Sequence, residues 1–162
     1  MSNIRPRRKR KIVNTKRFIA IVASRYNEKY VDGLVHHASA ELRALAPKST
    51  IAVHRVPGAF EVPIVVREIA RQGKAAAIIA VGLILQGRTR HAEHLARSVT
   101  DALQLIAVEY GIPVINVVLS PENELQAQER CLGKRMNRGT EAAHAALEVA
   151  QVISQLRSSR AK

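Results

Sequence analysis

The chain has 162 residues, a formal net charge of +13, 47% hydrophobic and 3% aromatic residues, and no tryptophan. This is the size of one domain whose core is built from Ala, Val, Ile and Leu, and a single cysteine, Cys131, excludes an internal disulfide framework and a cysteine-based metal set. No apolar run approaches the ~18 residues that span a bilayer, and no signal-peptide core follows the basic start, so the chain reads as cytoplasmic.

The charge is concentrated at the ends. Residues 1–17 hold eight cations (Arg5, Arg7, Arg8, Lys9, Arg10, Lys11, Lys16, Arg17) and no acid, and residues 157–162 add Arg157, Arg160 and Lys162. The intervening segment, 18–156, has fifteen basic against thirteen acidic residues, a net charge of +2. This divides the chain into a basic arm over 1–16, a nearly neutral domain over 17–156 and a basic tail over 157–162. Two readings of the arm are open: a solubilising tail, or a surface for nucleic acid or another polyanion.

RFIAIVAS (17–24) is a short apolar run rich in β-branched residues and predicts a strand, followed by a polar turn, RYNE. Tyr30, Leu34, Ala38, Leu42 and Leu45 recur at helical spacing and predict a helix over 29–46, ending before Pro47. TIAVHRV (50–56) predicts a second strand, and 61–73 a helix with Pro63 in its first turn. AAAIIAVG (75–82) is apolar on both faces and predicts a central strand. A helix over 91–111, a strand over 113–120, a helix over 121–131 and an Ala-rich helix over 140–156 follow.

That alternation specifies an α/β fold with an open, mostly parallel sheet covered by helices on both faces. Ligands of such sheets bind outside the carboxyl ends of the strands. Four connections leave those ends: 24–28, 56–61, 82–91 and 119–122. The residues least like a core lie in three of them: Tyr26 and Asn27, Phe60 and Glu61, and Arg88, Thr89, Arg90 and His91.

In the third connection, QGRTRH opens a helix. Backbone N–H groups at the helix start, the Arg88 fork and the Thr89 hydroxyl together describe a phosphate site; a solvated basic turn explains the same residues equally well. His91 at its rim titrates in the range useful for proton transfer. His94 follows three residues later, but with no third ligand beside them a metal is not supported. Phe60 reads either as a wall for a planar ring or as a plug at a helix start, and Glu61 as a site residue or a favourable charge at a helix N-terminus. Arg130, Lys134, Arg135 and Arg138 read either as a flexible basic loop or as a second cationic arm closing over the phosphate, with Glu141 available to pair with and orient Arg130.

IVASRYNE, VPGAFEVP, AVGLILQGRTRHAEH, GIPVINVVL and QAQER…NRGTEAAHAALE, in this order from about residue 17 to 156, resemble the 6,7-dimethyl-8-ribityllumazine synthases. The resemblance implies a three-layer α/β/α sandwich around a four-stranded parallel sheet, of the flavodoxin-like kind. It implies condensation of 5-amino-6-(D-ribitylamino)uracil with 3,4-dihydroxy-2-butanone 4-phosphate, with no cofactor and no metal. By position it assigns Tyr26 to stacking on the pyrimidine, Ala59, Phe60 and Glu61 to the ribityl chain and ring, and Leu83, Ile84 and Leu85 to backbone contacts with the ring. Arg88, Thr89 and Arg130 fall on phosphate-binding positions, and His91 on the proton-transfer position. It also implies a homopentamer or a 60-subunit shell with sites between subunits, Asn116 and Arg130 coming from the neighbour, and riboflavin synthase as a partner. In that family the segment before the first strand pairs with a neighbour's sheet, a role that 12–18 can fill. The chain departs from the family pattern at Gln86, Arg88 and Arg90, and at Asn116, where an aromatic is usual.

Overall fold

The computed structural model describes residues 12–86 and 90–159. Its elements follow the predicted order: β1 (Phe18–Ser24), α1 (Glu28–Leu45), β2 (Thr50–Val56), a single 3-10 turn (Ala59–Glu61), α2 (Val62–Arg71), β3 (Ala77–Leu83), α3 (His91–Tyr110), β4 (Val114–Leu119), α4 (Glu124–Cys131) and α5 (Arg138–Ser159). The strands form one sheet in the order β2-β1-β3-β4, with every pairing parallel. The fold is the α/β sandwich that the sequence implies.

Alternation along the strands builds the layers. In β1, Ile19, Ile21 and Ala23 point into a core shared with α1 and α5, while Ala20 and Val22 point into one shared with α2 and α3. All seven residues of β3 are buried, as a strand between two helical layers requires. The register aligns the strand ends: Ser24 lies opposite Val56, and Leu83 opposite Leu119. All four outgoing connections therefore start along one edge, called here the carboxyl edge; the strand starts define the opposite, amino edge.

On the α1–α5 side the packing is close because one partner is nearly bare. Ala142, Ala143, Ala146 and Ala150 of α5 are buried against α1. A Cβ at Gly139 would collide with the Leu34 carbonyl oxygen, so the first turn of α5 needs a glycine.

Element boundaries differ from expectation where capping decides them. Asn123 accepts a hydrogen bond from the Gln126 N–H (2.9 Å), and α4 starts after it, three residues beyond Pro121. α5 starts two residues earlier than predicted because buried Asn137 accepts from the Gly139 and Thr140 N–H groups (2.9 and 3.3 Å). It also continues to Ser159, so Arg157 belongs to its last turn and donates to the Gly111 carbonyl at 2.8 Å. Residues 12–17 lie along their own chain: the Val13 N–H donates to Leu45 O, and Arg17 donates to Leu147 O (3.2 Å) and to the Gln151 amide oxygen.

Candidate active site

The connections at the carboxyl edge are bonded to one another. The Arg25 N–H donates to the carbonyls of Val56 (2.9 Å) and Pro57 (3.1 Å), and the Tyr26 N–H to that of Pro57 (3.2 Å), which joins the first connection to the second. Asn27 stands in the left-handed region (φ 58°, ψ 43°), tolerable for asparagine, and its Nδ2 donates to the Leu83 carbonyl at 2.8 Å. That bond ties the first connection to the third. The Ile84 N–H donates to Leu119 O (2.8 Å) and so continues the chain of contacts to β4.

Beneath these bonds lies a small apolar floor of Ala59, Ile84 and Ala92, packed on Leu95, Ala96 and Val118. Above it, two of the chain's five Tyr and Phe residues face outward: Tyr26 is 72% exposed and Phe60 64%. An exposed ring is unfavourable in water, and a pair at one rim suits a planar ligand. Tyr26 sits over Gly58, where a Cβ would lie 3.2 Å from its ring and 2.9 Å from the Glu61 carboxylate. Pro-Gly at this turn thus lets the aromatic approach the backbone. The Glu61 carboxylate turns back to accept the Gly58 N–H at 2.8 Å and holds the same turn.

Leu83 and Ile84 are buried and Leu85 is 43% exposed, so the third connection rises from the core to the surface within three residues. Arg88 and Thr89 lie outside the described residues. Arg90 precedes α3, and His91 is its first residue; both are exposed, as are Gln86 and His94. No group of three His, Cys, Asp or Glu side chains able to hold a metal ion occurs among the described residues.

The remaining candidates stand on other elements. Asn116 is in the middle of β4, three residues before its end; its amide donates to the Thr100 hydroxyl (3.1 Å) and accepts the Val118 N–H (2.9 Å). Arg130 is half-buried in the last turn of α4. Glu141 accepts from Arg138 at 2.5 Å, one turn away on α5. The chain therefore brings together Tyr26, Ala59, Phe60, Glu61, Leu83, Ile84, Leu85 and His91 at one edge, and carries Asn116, Arg130 and Glu141 on β4, α4 and α5.

Several contacts near this edge and elsewhere in the fold were not anticipated. The Tyr30 hydroxyl donates to Glu124 at 2.7 Å, and this bond raises the phenol above its ordinary range. Asn137 Nδ2 donates to the Cys131 carbonyl (2.8 Å), so the segment joining α4 to α5 is held by one buried amide. Burial pushes the Cys131 thiol up to about 11, which makes it a packing group at neutral pH. His144 shares a 2.8 Å bond with Glu41, its side chain 18% exposed. Of these, only Asn137 carried a sequence signal, an asparagine before an Ala-rich helix. A groove of about 540 Å³ near this pair, lined by Val13, Leu45, His144 and Leu147, lies against residues 12–15 rather than at the carboxyl edge.

Residues 16–154 match the profile of the 6,7-dimethyl-8-ribityllumazine synthases. The chain belongs to this family. A 6,7-dimethyl-8-ribityllumazine synthase of Xanthomonas campestris pv. campestris (strain B100) is 40% identical over 143 residues, 88% of this chain and 92% of the relative. That of Xanthomonas axonopodis pv. citri (strain 306) is 41% identical over the same shares. The synthase of Stenotrophomonas maltophilia (strain R551-3) is 39% identical over 138 residues, 85% of this chain and 89% of its own. The lumazine synthase match includes all four strands, every connection of the carboxyl edge and most of α5, and begins two residues before β1.

Proposed function

We propose that the chain is a transferase that condenses 5-amino-6-(D-ribitylamino)uracil with 3,4-dihydroxy-2-butanone 4-phosphate to 6,7-dimethyl-8-ribityllumazine, releasing phosphate and water. The observation that carries this reading is the family match across the whole carboxyl edge, where two exposed rings stand over a small apolar floor.

The reaction needs a slot for a planar heterocycle, a clamp for a phosphate dianion and a proton carrier between them. Tyr26 and Phe60 supply apolar faces, with Ala59 and Glu61 beside them for the ribityl chain. The backbone of Leu83, Ile84 and Leu85 offers N–H and C=O groups to the ring edge. Arg88 and Thr89 bind phosphate at the start of α3, where the helix dipole favours an anion. His91 moves the protons of imine formation, phosphate elimination and ring closure.

Asn116 and Arg130 complete the site from a neighbouring subunit, Arg130 on the phosphate, with Glu141 supporting the cations of the 130–138 segment. An amide at 116 in place of an aromatic weakens ring packing by about 1 kcal/mol. Leu105 and Val108 on α3 and Val149, Val152 and Leu156 on α5 are exposed, which supports a homo-oligomer, a pentamer or a 60-subunit shell that particle mass distinguishes. No helix among the described residues is long and apolar enough to cross a membrane; the work is assigned to the cytoplasm, with riboflavin synthase as consumer of the product.

The test is to give the purified full chain both substrates and follow lumazine fluorescence and phosphate release. Equimolar lumazine and phosphate are expected, and His91→Ala should slow the reaction ~10²–10⁴-fold. A full-chain rate no greater than the uncatalysed condensation contradicts the assignment, and an unchanged rate in His91→Ala removes His91 from it.

A further inference from the structure

We propose that Asn137 is a positioning residue: its buried amide fixes the backbone beside Arg130 and so sets the direction in which that arginine meets the phosphate-bearing substrate. This role rests on the phosphate-binding task proposed above for Arg130. Arg130 itself is not aimed by an ion pair. Its side chain is half-buried in the last turn of α4, and no carboxylate among the described residues pairs with it. Glu141, which the sequence offered as its orienting partner, accepts from Arg138 instead at 2.5 Å. A long side chain without a fixed partner keeps its rotamer freedom, so the backbone that carries it decides where its fork can reach.

That backbone is held from two sides. Asn137 is 1% exposed. Its Nδ2 donates to the Cys131 carbonyl at 2.8 Å, and its Oδ1 accepts the N–H groups of Gly139 and Thr140 at 2.9 and 3.3 Å. An amide NH₂ only donates and an amide oxygen only accepts, so these partners fix the orientation of the group. Cys131 directly follows Arg130 and Gly139 directly follows Arg138, so one side chain joins the peptide units next to both arginines. Beneath this clasp lies one face of α1, carrying Tyr30, Gly33 and Leu34 at spacings of three and four residues. The Tyr30 hydroxyl donates to Glu124 at the start of α4, and a Cβ at Gly33 would lie 2.7 Å from the Cys131 carbonyl oxygen at its end. The Leu34 carbonyl meets Gly139. α4 is therefore seated on α1 at both ends, and Asn137 closes the seat from the side of α5.

Capping alone does not account for this residue. A helix N-terminus needs only the accepting half of the side chain, which serine or aspartate also provides. The donating half reaches a carbonyl six residues earlier, at the end of a different helix. Both groups of that bond are buried, and separating them leaves each unsatisfied, so the peptide unit after Arg130 has one favoured position.

The experiment follows steady-state lumazine formation, with either substrate varied, in the full chain, Asn137→Ser and Asn137→Asp, each also combined with Arg130→Ala. Serine and aspartate keep the cap of α5 and lose the donor to Cys131; serine does so without a buried charge, should the carboxylate disturb folding. Both variants should raise the KM for the butanone phosphate about tenfold and weaken inhibition by inorganic phosphate in the same proportion. The KM for the ribitylaminouracil should stay within about twofold. A purely structural role would lower kcat through the active fraction and move neither KM. In Arg130→Ala the same substitutions should add nothing further, because a residue that acts through another is not additive with it. The proposal is overturned if the KM for the butanone phosphate is unchanged in both variants, if both KM values rise together, or if the effect of Asn137→Ser persists in Arg130→Ala. No lumazine from the unaltered chain would overturn the proposed function as well, which keeps the two failures distinguishable.

Discussion

The two edges of the sheet are made by the same four strands and use opposite physics. At the carboxyl edge the connections are bonded to each other through Arg25, Tyr26, Asn27 and Ile84, and the side chains left outside include the rings of Tyr26 and Phe60. At the amino edge the connections carry lysines with no ion-pair partner among the described residues. Parallel strands impose part of this contrast: the starts of α1, α2 and α3 lie near the carboxyl edge and their ends near the other, so anions are favoured at the first and cations at the second. The carboxyl edge is shaped by bonds between its connections, whereas the amino edge is marked by exposed charge.

The contrast can be broken most strongly at the carboxyl edge. Asn27→Ala removes the bond to Leu83 and puts a β-carbon-bearing residue without a compensating side chain at φ 58°. Together these should cost about 2 kcal/mol, read as a lower urea midpoint, and the connection should loosen. Asn27→Gly relieves the backbone strain while still losing the bond, and should recover about half. Equal losses in both variants would assign the whole effect to the hydrogen bond.

At the amino edge the expected effects are smaller and electrostatic. Bonds from Arg71 and Gln72 hold the Glu68 carboxyl at about 2, below its usual 4.5. Its folded form is thus the weaker proton binder, so its contribution is present above pH 4.5 and is lost as pH falls toward 2. Glu68→Gln should flatten the dependence of the urea midpoint between pH 5 and pH 3 slightly relative to the full chain; because the pair is exposed, the change is the smallest predicted here. An identical pH dependence in the two proteins would remove this contact from the account.

The fold was readable because its signals are periodic. The Leu34, Ala38, Leu42 and Leu45 repeat and the two-faced apolar run at 75–82 each have one stable placement, a helix against a sheet and a strand between two layers. Boundaries set by a single side chain were not periodic: Asn123 and Asn137 moved the starts of α4 and α5 by three and two residues. The meeting of Tyr26, Phe60 and His91 on one edge follows from the rule that parallel strands end together. Its stitching was hidden, because backbone donors such as the Arg25 and Ile84 N–H groups are common to every residue. Asn116 was placed with these residues by resemblance alone, and Arg130 also by the cationic stretch it belongs to; within one chain they stand on β4 and α4.

The central claim is that lumazine synthesis belongs to the carboxyl edge and to no part of the basic arm. It is tested most directly by kcat/KM for lumazine formation in Phe60→Ala beside the chain lacking residues 1–11. Loss of the exposed ring should lower the value about tenfold, the equivalent of ~1.4 kcal/mol of ring packing, while the truncated chain keeps the full-length value. A Phe60→Ala enzyme as fast as the full chain, paired with a truncated chain that has lost its activity, would contradict the account.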